Sequence, residues 1–154
     1  MNLPNSPDIR YIRLVDVYLI VFNLVKTVLD IDPVDNPLPD YRHEDDGSLN
    51  KCLDLVKNDD YYPGFLDKAA YLFVAIIKNH FFSNGNKRLA YVVLVYFLNI
   101  NGWTYKRQSD LALKDVAIYI ADSERNQNAS FEALKNYAGQ YLANNIVPIS
   151  SWQQ

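Results

Sequence analysis

The stretch Asn79-His80-Phe81-Phe82-Ser83-Asn84-Gly85-Asn86-Lys87-Arg88 lies between the two most hydrophobic runs of the chain. Residues 69–77 precede it as nine positions without a polar break, and residues 89–98 follow it as ten more. Runs this apolar are expected to be buried. The sequence therefore predicts a short polar loop held between two core elements, which is where binding and catalytic residues often lie.

Both apolar runs are predicted to be helices. The first, over about 65–79, is apolar on nearly all sides, which indicates a helix in the middle of the fold. The second is rich in β-branched and aromatic residues, so its periodicity alone does not exclude a strand. Its length favours a helix from about Asn86 to Asn101, and Gly102 is a suitable C-terminal stop.

The remaining elements are also predicted to be helical. A first helix would start at Asp8 and run to about Leu29, a short one would span Ser48 to about Asn58, another would run from Ser109 or Asp110 to about Asp122, and a last one would start at Ser130 and end before Pro148. Helical spacing predicts buried faces of Ile9, Ile12, Leu19, Phe22 and Val25 in the first helix, and of Phe131, Leu134, Tyr137 and Tyr141 in the last. The sum is an all-α bundle of about six helices.

Composition restricts the class of protein. The 154 residues are 49% hydrophobic and 21% charged, which indicates one globular domain over 1–154 with loose tails at 1–7 and 146–154. The net charge of −3 argues against a nucleic-acid binder. No apolar run approaches the roughly 20 residues of a membrane span. Cys52 is the only cysteine, so neither an intrachain disulfide nor a cysteine-based zinc site is expected, and a reducing cytoplasm is the expected setting.

Residues 41–47 are polar and strongly acidic, and they leave more than one interpretation open. They could be a solvated loop. They could also be a flap beside an active site that pairs with the backbone of an extended partner segment. A metal site at His43 is less favoured, because consecutive residues rarely converge on one ion.

The loop chemistry points to anion binding followed by proton transfer. If one helix ends at His80 and the next begins at Asn86, the free N–H groups of the new helix and its dipole favour an anion. Gly85 permits the sharp turn, the side-chain amide of Asn86 could donate, and Lys87 and Arg88 add positive charge. The chain has no G-x-G, so neither a Walker loop nor a dinucleotide fingerprint is present.

His80 is the candidate general base. A neutral imidazole beside this anion cradle could take a proton from a hydroxyl that attacks a bound phosphate. Phe81 or Phe82 would turn inward and anchor the loop. A single histidine at a helix end is usually structural, but its combination with asparagine, glycine, lysine and arginine within residues 80–88 favours catalysis.

Residues 80–88 resemble the signature of the Fic/Doc family. The Fic branch is written H-x-F-x-D/E-G-N-G-R-x-x-R, and the death-on-curing (Doc) branch is written H-x-F-x-D/N-A/G-N-K-R. The chain matches the second pattern at every fixed position. Lys87 stands where the Fic branch has its second glycine, and Tyr91 stands where that branch has its second arginine. The similarity extends weakly over about residues 40–122.

The resemblance implies an all-α transferase that uses ATP or another nucleoside triphosphate. Fic members mostly transfer AMP to a protein hydroxyl, whereas Doc-type members are toxins that phosphorylate a threonine of a translation elongation factor. The implied roles are His80 as general base, Phe82 as anchor, Gly85 with Asn86 as anion hole, Lys87 and Arg88 as phosphate contacts, and Asn84 as the position facing Mg²⁺.

Asn84 is the main departure, because many relatives have a carboxylate here and a neutral amide is a weaker magnesium ligand. The leading hypothesis is a Doc-type phosphotransferase. The alternatives are AMP transfer, disfavoured by the bulk and charge of Lys87, and a degenerate member that only binds a nucleotide or partner. No Ser or Thr is followed four residues later by Glu, so the self-inhibitory helix of some Fic proteins is not expected. Restraint would come from an antitoxin whose disordered segment folds onto the toxin.

Overall fold

The computed structural model describes residues 2–27, 38–106, 110–122 and 130–152. This part of the chain is mostly helical with one small two-stranded sheet, which confirms the predicted all-α class. The helices are α1 (Leu14–Asp16), α2 (Phe22–Val25), α3 (Tyr41–Glu44), α4 (Ser48–Leu55), α5 (Phe65–Lys78), α6 (Asn86–Ile100), α7 (Asp110–Ala121), α8 (Phe131–Asn145) and α9 (Ile149–Trp152); the strands are β1 (Trp103–Tyr105) and β2 (Ile146–Pro148). A 3-10 turn covers Ser6–Asp8, and a π-helical segment, Val17–Val21, joins α1 to α2.

Helix α5 is the centre of the fold, as its all-round apolar sequence predicts. It packs against α6 and α8 along its length and also touches α4 and α7. Every residue from 68 to 77 is buried. Helix α6 begins and ends close to its predicted bounds, and Gly102, with a φ of +85°, terminates it as predicted. The polar loop therefore joins the two most buried helices.

The N-terminal helix starts later than its sequence pattern predicts. Asp8 lies in the 3-10 turn, and the helix begins at Leu14, where the N–H of Arg13 donates to Asp16 Oδ2 at 3.0 Å. Leu19, which was predicted to be buried, is 63% exposed. The later start and the π-helical segment change which side of the helix faces the core. The predicted end near residue 29 lies outside the described residues.

The two serines that were predicted to cap helices, Ser48 and Ser130, have different outcomes. Ser48 does not cap α4: Gly47, at a φ of +89°, holds the N-cap position, and the N–H of Ser48 donates to Asp46 Oδ1 at 2.9 Å. Ser130 does cap α8, because its Oγ accepts the N–H of Ala133 at 3.1 Å.

The predicted face of α8 is wrong in part. Leu134 is buried as predicted, but Phe131 and Tyr137 are 37% and 43% exposed. The other buried residues of this helix are Lys135, Ala138 and Leu142. The ammonium of Lys135 lies 3.2 Å from Asp67 and 3.3 Å from Glu132. Because both carboxylates pair with it, this lysine can be buried at a position where hydrophobic periodicity does not predict a charged residue.

A loose tail is predicted over 146–154, but residues 146–152 form strand β2 and helix α9. Strand β2 pairs antiparallel with β1, with Trp103 opposite Pro148 and Tyr105 opposite Ile146. Ile146 is 3% exposed. The pairing forms because α8 returns the chain to the end of α6. At the other end, Ser6 in the predicted N-terminal arm donates a hydrogen bond to Asp59.

Within the described ranges, no helix combines the length and the hydropathy of a membrane span.

Lys68 is a charged residue with a fully buried side chain in α5. Its Nζ donates to the carbonyl oxygen of Val56 and pairs with Asp59 Oδ1, each at 2.9 Å. The ammonium also lies 5.6 Å from the centre of the Tyr11 ring. One lysine thus joins the end of α4 and the following turn to the central helix.

Lys68→Ala is expected to lower the free energy of unfolding by about 2 to 4 kcal/mol, because it removes a buried cation and leaves a carbonyl and a carboxylate without it. The matched control is Lys57→Ala, which removes an exposed lysine that lies 3.5 Å from Asp54 and should cost less than about 1 kcal/mol. Urea unfolding of the three proteins measures both effects. Equal losses would show that burial of Lys68 does not matter.

Candidate active site

The loop between α5 and α6 begins with a strained histidine. His80 follows the α5 cap residue Asn79 and has a φ of +47°, the only positive φ of a non-glycine residue among those described. A residue with a Cβ is disfavoured in this region, and such outliers cluster at functional sites. The His80 side chain is exposed and makes no hydrogen bond to the described part of the chain. Its imidazole is therefore accessible to a bound molecule.

Phe82 holds the loop to the core. It is 4% exposed, and its ring meets Tyr41 and Phe22 edge-on at centroid distances of 4.9 and 6.1 Å. Phe22 and Tyr41 in turn stack at 5.0 Å. The structure places Phe82 in this aromatic cluster, whereas Phe81 is only partly buried.

The Asn86 side chain is hydrogen-bonded to the backbone of the loop. Its Nδ2 donates to the carbonyl oxygen of Phe82 at 2.8 Å, and its Oδ1 accepts the N–H of the same residue at 3.2 Å. The residue is 8% exposed. One donor of the side-chain amide of Asn86 is therefore used within the loop. Donation from Asn86 to an anion stays a prediction, through its second amide hydrogen or its backbone N–H.

The start of α6 has the geometry of an anion cradle. Gly85 is the N-cap residue with a φ of +71°, and its carbonyl accepts the N–H of Leu89 at 3.0 Å. The first N–H groups of an α-helix lie at the positive end of its dipole. Lys87 and Arg88 add two cations to this turn, and Arg88 is 6% exposed. The N–H groups at the start of the helix, the helix dipole and the two cations together favour a phosphate.

Helix α3 packs directly against this loop. Sequence patterns did not identify this contact. The Tyr41 hydroxyl donates to the carbonyl oxygen of Gly85 at 2.9 Å, and Tyr41 is 5% exposed. The carboxylate of Glu44 accepts two hydrogen bonds from Ser83. The solvated-loop interpretation of residues 41–47 is therefore wrong for Tyr41 and Glu44, and the position of α3 favours a flap beside the site. Pairing of that flap with a partner segment stays a prediction.

Asn84 offers one oxygen that a cation could use. Its Oδ1 is buried and has no hydrogen-bond partner among the residues that the structure describes. A buried amide oxygen without a donor suits a hard cation such as Mg²⁺, which takes oxygen ligands and keeps several waters. Among the described residues no three His, Cys, Asp or Glu side chains form a metal-binding group. A magnesium site at Asn84 stays a prediction, and so does the less favoured metal site at His43.

Residues 30–98 match the model of the Fic/DOC family. The Fic/DOC match covers less than half of the 154-residue chain, but it includes α3, α4, α5 and the whole loop between α5 and α6. Members of this family generally transfer nucleotide or phosphate groups to proteins. The match does not separate the Fic from the Doc branch. No curated protein and no solved structure gives a significant match to the chain.

Gly85→Ala is expected to destabilise the protein more than Gly102→Ala. Both glycines have a positive φ, which costs a residue with a Cβ about 1 to 2 kcal/mol. A Cβ at Gly85 would also collide with the Tyr41 hydroxyl and lie 3.0 Å from Leu38 Cδ2, whereas a Cβ at Gly102 meets nothing within 4 Å. Thermal unfolding measures the difference. Equal losses of stability in the two variants would mean that Tyr41 and Leu38 move aside for the new Cβ at little cost.

Proposed function

We propose that the chain is a Fic/DOC-type transferase of the Doc branch, which moves the γ-phosphate of ATP or another nucleoside triphosphate to a hydroxyl group of a protein. The observation that carries this proposal is the position of His80: an exposed imidazole in a strained conformation, one short loop away from the cationic start of α6. The family match over residues 30–98 supports the same class of reaction.

The proposed mechanism divides the work between binding and proton transfer. The backbone N–H groups at the start of α6, with Lys87 and Arg88, would bind and orient the phosphates. His80 would take the proton of the attacking hydroxyl as its oxygen forms a bond to the γ-phosphorus. The bond from that phosphorus to the bridging oxygen breaks, a nucleoside diphosphate leaves, and His80 returns its proton to solvent. Lys87 supports phosphate rather than AMP transfer, because it fills space that the Fic branch leaves to glycine.

Magnesium is part of the proposal. Asn84 would hold the ion through its buried Oδ1, and the bound ion would supply positive charge to the phosphates. Because an amide oxygen carries no net charge, we propose weaker magnesium binding here than at a carboxylate.

The Doc-type signature also supports a biological role. We propose that the protein acts in the cytoplasm as the toxin of a toxin–antitoxin pair, with a translation factor as its target. An antitoxin protein would restrain it, since the printed sequence has no self-inhibitory S/T-x-x-x-E motif. We propose no membrane or nucleic-acid partner.

His80→Asn is expected to abolish transfer while leaving the fold intact. Asparagine tolerates the positive φ better than alanine does, and the lost side chain is exposed, so stability should change by less than about 1 kcal/mol. Incorporation of label from ATP into protein in a cell extract measures transfer, and thermal unfolding checks the fold. Growth arrest on expression should be lost in the same variant. Equal transfer or equal toxicity in His80→Asn would refute the role of His80 as base.

The position of the radioactive phosphorus within ATP distinguishes phosphate transfer from AMP transfer. Phosphate transfer predicts that γ-labelled ATP marks the target protein and that α-labelled ATP does not. AMP transfer predicts the reverse. Mass spectrometry of the modified protein should show the gain of one phosphate group, and a gain of AMP would refute the Doc-type assignment.

A binding-only role is the second candidate, and the neutral side chain of Asn84 is the observation that favours it. In that case the protein would bind ATP in the presence of Mg²⁺, yet neither label would reach any protein. Asn84→Asp is the informative variant, since it restores the carboxylate of many relatives. If Asn84→Asp transfers label and the wild type does not, the chain is a degenerate member.

A further inference from the structure

Glu44 makes an unusual contact with the loop. Its Oε1 accepts the backbone N–H of Ser83 at 2.8 Å, and its Oε2 accepts the Ser83 hydroxyl at 2.9 Å. The two residues are 39 positions apart in the chain. One carboxylate therefore holds both the backbone and the side chain of Ser83.

Ser83 depends on this contact. Phe82 is held by Asn86, and Gly85 is held by Tyr41, so the residues on either side of Ser83 and Asn84 have tethers of their own. Ser83 itself is exposed and makes no other hydrogen bond within the described residues. Without Glu44 the middle of the loop would lose its contact with α3.

Glu44 is itself firmly placed. Asp40 caps the start of α3 by accepting the N–H of His43 at 3.3 Å. Arg42 donates to the carbonyl oxygen of Tyr18 at 2.9 Å, and its guanidinium lies 5.4 Å from the centre of that ring. The Tyr18 hydroxyl donates to Asp45. The turn that carries Glu44 is thus attached to the N-terminal helical region on one side and to the loop on the other.

We propose that Glu44 is a positioning residue for the transfer reaction: it acts through Ser83 to hold the conformation of the loop that joins His80 to the start of α6. This inference rests on the proposed function. Glu44 touches neither His80 nor the start of α6 in the contacts described above, so its effect would pass through the loop backbone. A small displacement of a catalytic group can cost about 100-fold in rate, so a tether of this kind matters for turnover.

Two substitutions separate the hydrogen bonds of Glu44 from its charge. Glu44→Ala removes both. Glu44→Gln removes the charge alone, since its amide oxygen can accept the Ser83 N–H and its NH₂ can donate to the Ser83 hydroxyl, which also accepts. Asp54→Ala is the matched control, because it removes a carboxylate of α4 that is exposed and 3.5 Å from Lys57.

The experiment measures loop protection and kinetics on the same four full-length proteins. Amide hydrogen exchange, read by NMR, reports the Ser83 N–H, and labelled ATP reports kcat and KM. For Glu44→Ala we expect exchange of the Ser83 amide to rise at least tenfold, kcat to fall about tenfold and KM for ATP to change less than about threefold. Glu44→Gln and Asp54→Ala should stay within about threefold of wild type in all three, and all four should unfold at similar temperatures.

Three outcomes would overturn the proposal. Unchanged Ser83 exchange in Glu44→Ala would show that the carboxylate does not tether the loop. An equal fall of kcat in Glu44→Ala and Glu44→Gln would assign the effect to charge. A fall of kcat accompanied by faster exchange throughout the core would assign it to general stability. If the wild type transfers neither phosphate nor AMP, the proposed function fails, and Ser83 exchange by itself decides whether Glu44 positions the loop.

Discussion

The paired hydrogen bonds between the Asn86 side chain and the Phe82 backbone are the constraint on which the site depends. They close the turn between the two most buried helices, and the Phe82 ring fixes the same residue to the aromatic cluster with Phe22 and Tyr41. Because backbone and side chain of one residue are both held, the direction in which α6 starts is set relative to the end of α5. The strained His80 and the first N–H groups of α6 take their positions from this turn.

Positive and negative groups lie at different parts of the turn, which suits the proposed binding of a phosphate. Cationic side chains and backbone N–H groups lie at the start of α6, whereas the carboxylate of Glu44 binds Ser83 in the middle of the loop. The Asn86 side chain is hydrogen-bonded to the loop backbone, and the proposed anion site consists mainly of backbone N–H groups, Lys87 and Arg88. Backbone N–H groups that a helix already holds need no reorganisation before an anion binds.

Contacts from α3 also hold the loop and the start of α6. Helix α3 brings Tyr41 to Gly85 and Glu44 to Ser83, and it is attached through Arg42 to Tyr18 of the π-helical segment. The acidic segment 41–47 is therefore part of the site and not only a solvated connection. Its contacts couple the N-terminal helical region to the loop by a short series of direct hydrogen bonds.

The sequence by itself determined the features that depend on neighbouring residues: the buried helices α5 and α6, the polar loop between them, the stop at Gly102 and the cap at Ser130. Periodicity and capping are local, so spacing reveals them. Only the tertiary structure decided the side on which Leu19 and Phe131 lie, the pairing of β2 with β1, the partner of Asn86 and the approach of Tyr41 and Glu44. Local spacing did not identify these features, because some of them depend on where the helices start and how they pack. The others depend on which distant part of the chain a strand or a polar side chain meets.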